Sequence, residues 1–148
     1  MKKIGEYTAR GSLDEEEIER ITLFDGTFTT AYRVVGFDVW GATWNNSTNP
    51  DVIGKLSKNP DGVNAEVNFM RADDDNQIAW AGMQGQDESG SQHFSIIDPD
   101  NLIVEDLYVN ALTAGNQKIN YLVRMEKYEI TDWQGALSMA RDRAQGDL

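Results

Sequence analysis

The sequence predicts an all-β chain, an eight-stranded antiparallel sandwich of jelly-roll type with one C-terminal α-helix. Three observations predict it. Short runs rich in Val, Ile, Phe, Tyr and Trp recur along the first 130 residues, and several alternate apolar with polar positions. Turn clusters such as Asp25-Gly26, Asp98-Pro99-Asp100 and Ala114-Gly115-Asn116 separate them. The connections are mostly too short for the helical crossovers that a parallel sheet requires, which favours two packed antiparallel sheets.

The first stretch, MKKIGEYTARG, has strand character at 4–10 but is cut off by Gly11-Ser12, so residues 1–11 are expected as an N-terminal arm. Lys2, Lys3 and Arg10 against Glu6 leave this arm at +2 and the remainder of the chain at −14. Lys2, Lys3, Tyr7 and Arg10 are therefore candidate assembly contacts, through an added strand or across an acidic neighbouring surface.

The main body spans 12–130, with strands expected at 17–24 and in TAYRVVGFDVWGATW. Asp25-Gly26 between them reads as a hairpin turn, because the pair readily supplies positive backbone dihedrals. In the second strand Ala31, Val35, Phe37 and Val39 fall on one face, broken by Arg33, and Gly36 and Gly41 suggest a bulge or bend. Residues 45–63 are dense in Asn, Pro, Gly, Ser and Asp around Val52, Ile53 and Leu56, and read as a long connection. Further strands are expected at 65–71, 77–84, 92–98, 101–112 and 117–130.

Residues 131–146 form the expected helix of the same single domain. Thr131 with Gln134 matches a capping box, Asp132 complements the positive end of the macrodipole, and Gly146 suits a left-handed stop. Trp133, Leu137, Ala140 and Ala144 make one apolar stripe, which must bury against the sandwich or an adjacent subunit. They complete the candidate assembly contacts.

Composition narrows the chemistry. The chain has 148 residues, 25 acidic against 13 basic, and a net charge of −12. Nucleic acid is repelled by such a surface, so contact with it is expected only through the arm. Cysteine is absent, and no apolar run approaches the roughly 20 residues of a membrane span. Neither a membrane partner nor an address is expected. The single histidine, His93, lacks a nucleophile or a second histidine in a recognisable pattern and reads as a polar strand residue. Phosphate-cradling glycine motifs are missing. Asp73, Asp74 and Asp75, and Asp98 with Asp100, are acidic turns that could hold calcium but lack the EF-hand pattern. No catalytic residue, metal site or cofactor is assigned. Trp40, Trp44 and Trp80 read as core aromatics.

Three stretches, RITLFDGTFTTAYRVVGFDVW, NQIAWAGMQ and INYLVRMEKYEITDWQGALSMARDRAQG, cover more than a third of the chain. In their layout the chain resembles uncharacterised virion structural proteins of marine viruses and phages. That resemblance implies a non-enzymatic structural protein, a jelly-roll capsid subunit or a decoration (cement) protein, assembled in the host cytoplasm into the virion. Its expected partners are further copies of itself or other virion proteins. The faintly basic arm departs from the strongly basic arms of genome-wrapping subunits. Two rival expectations stand beside it. The tryptophans suit a carbohydrate-binding module or virion adhesin, and the abundant carboxylates a hydrolase, if two of them converge.

Overall fold

The computed structural model describes residues 2–14, 17–42, 51–59, 70, 72–73, 75–87, 90–113, 117–131 and 137, without the side chains of 84–92. Eight strands lie among them: β1 (Lys2–Leu13), β2 (Ile18–Ile21), β3 (Thr30–Gly41), β4 (Val52–Ser57), β5 (Gln77–Asp87), β6 (Gly90–Ile97), β7 (Leu107–Thr113) and β8 (Ile119–Glu129). They form two antiparallel sheets, one ordered β1-β8-β3 and the other β2-β7-β4-β5-β6. No helix is described. Of the expected helical stripe, Trp133, Ala140 and Ala144 lie outside the described residues, as does nearly all of the strand expected at 65–71.

Strand β8 shows why these sequences make strands. Ile119, Tyr121, Val123 and Met125 are buried, while the residues between them are half-buried or exposed, so one face packs inward at the two-residue period of a pleated strand. Those side chains meet Ala9, Leu13, Val34, Phe37 and Val39 of the same sheet and Ile21, Val52, Leu56, Ala79, Ala81, Leu107 and Val109 of the other in a single core. Small residues face large ones across it. Gly54 leaves room that Val39 and Phe37 fill: a Cβ on it would stand 2.7 Å from Val39 Cγ1 and 3.5 Å from Phe37 Cζ.

Several expectations change. The bulge near Gly36 is present, with the register slipping between Val34 and Gly36, but it inverts the alternation. Before it Tyr32 and Val34 are buried; after it Phe37 and Val39 are; Val35 itself is exposed rather than on the core face. Asp25-Gly26 does not make a hairpin: β2 joins the five-stranded sheet and β3 the three-stranded one, so the connection crosses between sheets. Gly26 does adopt a positive φ of 89°, and the Asp25 carboxylate accepts from the Thr27 amide and hydroxyl. Residues 52–57, expected inside a long connection, are strand β4, paired on both sides and almost wholly buried. Only 107–113 of the strand expected from 101 is continuous; Ile103 instead makes an isolated bridge to Tyr32.

The segment expected as an arm is also placed differently. Gly11-Ser12 does not interrupt it: β1 runs on to Leu13 and pairs with β8 from Lys2↔Glu129 to Leu13↔Ile119, slipping only around Ile4. Buried Ala9 and Leu13 explain this, since they continue the core face of β8 across the sheet.

Candidate functional site

The outward face of the three-stranded sheet is built from residues one step out of phase with the core. Register sets Ser12, Asn120 and Trp40 side by side on one rung and Arg10, Leu122 and Asp38 on the next. An open groove of about 410 Å3 lies here, lined by Arg10, Gly11 and Ser12 of β1, Trp40 of β3, and Asn120, Tyr121 and Leu122 of β8. Trp40 is 39% exposed, which corrects its reading as a core aromatic. The signal was present in the sequence: once Phe37 and Val39 point inward, period two sends Trp40 outward. Trp80 differs, being half-buried with its indole N–H donating to Gln77 Oε1 at 2.8 Å.

The residues expected as assembly contacts are spread along β1. Lys2 starts the strand and is exposed. Lys3 pairs with Glu126 at 2.9 Å and Glu6 at 3.2 Å, and both carboxylates raise its pKa. Tyr7 is 44% exposed with its ring edge-on to Tyr32, centroids 6.1 Å apart, and Arg10 borders the groove. Leu137 is exposed, and nothing described packs it against the Lys2–Arg10 group. Trp44, like Trp133, lies outside the described residues.

The sheet edges are treated unequally. Along the free side of β3, Tyr32 exchanges two backbone hydrogen bonds with Ile103, at 2.8 and 2.7 Å. The Asn101 side chain then imitates a strand, accepting from the Val34 amide at 2.8 Å and donating to the Val34 carbonyl at 3.2 Å. Further on, Ser95 of β6 donates to the Phe37 carbonyl at 2.6 Å, and His93 Nε2 lies 3.1 Å from Asp38 Oδ1. These contacts bring the edges of β3 and β6 together. By contrast, β1 has β8 on one side and no strand on the other among the described residues, and it exposes Ile4 and Tyr7 along its length.

Two further polar arrangements went unread in the sequence. Asp106 is buried, and its carboxylate accepts from the Leu23 and Phe24 amides at 2.9 and 3.2 Å and from Arg20 Nε at 2.7 Å. Burial alone pushes this carboxyl up, but the two amides and the guanidinium outweigh it and hold the pKa below the ordinary range. On the five-stranded sheet, Lys55 and Asn110 are cross-strand neighbours and Ser57 stands opposite Gln77, all four buried on the face away from the core. Asn110 donates to the Glu17 carbonyl at 3.3 Å, while its Oδ1 and the Ser57 hydroxyl are buried without a partner. Neither motif nor spacing marks such a cluster.

Tyr121 donates to Glu19 Oε1 at 2.8 Å, and burial first, then that carboxylate, pushes its hydroxyl well above the usual range. Among the described residues, no three His, Asp or Glu side chains converge as metal ligands do. No described helix is long and apolar enough to cross a membrane. Comparison with known proteins returns no matching family model and no significant match to a curated protein.

Proposed function

We propose that this chain is a non-enzymatic structural protein of a virus particle, a jelly-roll subunit or capsid-associated protein that acts by symmetric self-association. Strand order supports the finer fold. The orders β1-β8-β3 and β2-β7-β4-β5, with β6 continuing past β5 and contacting β3, nest the pairs β1/β8, β2/β7 and β4/β5 as a jelly roll does. The C-terminal helix, residues 131–146, belongs to the same proposal as a second assembly element. Setting and location in a virion rest on the sequence resemblance alone.

The observation that carries self-association is the edge of β1. It is twelve residues long, exposes Ile4 and Tyr7, and among the described residues lacks the bridging devices that occupy β3. Two copies of β1 paired antiparallel about Thr8 would place Glu6 of each opposite Arg10 of the other, on the same face of the joined sheet. This complementarity sets the register. Such pairing would join two three-stranded sheets across a two-fold axis.

Light scattering on the purified protein tests it, together with Glu6→Arg and the exchange Glu6→Arg/Arg10→Glu. The native chain should associate, the single reversal should dissociate it without lowering the melting temperature, and the exchange should restore association. A native chain that stays monomeric at high concentration, or a single reversal without effect, overturns the reading.

A further inference from the structure

We infer that the groove around Trp40 binds a neutral, equatorially substituted pyranose, the chemistry of a β-linked glucose or N-acetylglucosamine oligosaccharide. The inference does not rest on the self-association proposed above. A half-exposed indole on an outer sheet face offers a flat, electron-rich surface. A pyranose with equatorial substituents presents the complementary surface, a flat face of C–H groups that carry slight positive charge. Its hydroxyls then project sideways, into the plane where polar partners are needed.

The groove supplies those partners on two adjacent rungs, whose cross-strand neighbours stand roughly 5 Å apart. Ser12 offers a hydroxyl, Asn120 both a donor and an acceptor, and Arg10 a fork of donors. Among the described residues, no side-chain hydrogen bond or ion pair engages any of them, nor the Trp40 indole N–H, whereas Trp80 is bonded to Gln77. Leu122 lies between Arg10 and Asp38 on the second rung and adds an apolar floor. At about 410 Å3 the groove falls within the size range of small-ligand sites. A neutral ligand follows from charge: the chain carries −12, so a polyanion meets long-range repulsion that one arginine does not reverse.

The test is titration of the full chain with cellotetraose and with N-acetylchitotetraose, followed by calorimetry and by tryptophan emission, at low and high salt. At least one should bind saturably at millimolar concentration or below, with the same affinity at both salt levels. Trp40→Ala should weaken binding about tenfold or more, and Asn120→Ala several-fold. Both variants are melted alongside the native protein. Asn120→Ala removes an outward side chain that has no hydrogen-bond partner among the described residues, so it reports on the groove even if Trp40→Ala unfolds. The inference is overturned if neither sugar binds, if Asn120→Ala leaves affinity unchanged, if a folded Trp40→Ala does so, or if affinity falls with salt as it does for a charged ligand.

Discussion

Asp106 shows how one side chain can hold a crossing between sheets. The segment leaving β2 must turn away from its own sheet, which frees the amides of Leu23 and Phe24 from any strand partner, and the buried carboxylate accepts both. Replacing it with alanine leaves two amides unpaired and should cost about 2–4 kcal/mol at neutral pH. The pH dependence has a definite sign. Because the folded-state pKa lies below the ordinary carboxylate value of about 3.9, the group's contribution is present above that pH and is lost as pH falls through the lower, folded-state value. Urea unfolding of the native protein and of Asp106→Asn should therefore show a gap in stability at pH 7 that narrows steadily below pH 4. A gap independent of pH would mean that the charge contributes nothing.

At the scale of the element, β4 is decided by what packs against it. Gly54 lies under Val39 and Phe37, with no space for a methyl group: the added carbon would stand 2.7 Å from Val39 Cγ1 and 3.5 Å from Phe37 Cζ. Val39 is buried on β3 and cannot swing aside as an exposed lysine could. Gly54→Ala is thus expected to destabilise the protein by about 1–3 kcal/mol through overpacking. Val39→Ala alone should also destabilise, by opening a cavity. Together the two should cost less than their sum, because each relieves the other, and a double-mutant cycle in urea reads that coupling directly. Strict additivity would show that the two strands do not touch here as described.

For the whole molecule, the status of residues 2–11 is the decisive matter. An arm can be removed without harm, whereas β1 covers one side of β8 and contributes Ala9 to the core. Deleting 2–11 should therefore lower the melting temperature substantially, even in dilute solution where no assembly exists. A truncated chain with an unchanged melting point would restore the arm reading. The same strand would carry the proposed two-fold contact, so Glu6→Arg, which leaves β1 in place, separates loss of assembly from loss of fold. The sheet edges fit this division: β3 is occupied by Ile103, Asn101 and Ser95, while no described strand pairs with the outer side of β1.

By itself the sequence determined that the chain is built from strands, and it located most of them, because period-two alternation in stretches such as INYLVRM and the chemistry of Asp25-Gly26 are local properties. It also contained half of the candidate groove, since the phase of Phe37 and Val39 dictates that Trp40 faces outward. Only tertiary structure decided the remainder. β4 is buried on both faces, so it has no polar alternation by which to announce itself, and Gly54 and Lys55 disguise it as a loop. A single bulge at Val35 reverses which side chains reach the core, and one extra residue in a ladder is visible only against its partner strand. Arg10, Ser12, Asn120 and Trp40 come together because β1 and β3 flank β8, in pairings between residues 80 or more positions apart, such as Trp40 with Asn120. Such pairings depend on which apolar faces close over a common core, and that is a property of the whole chain rather than of any segment.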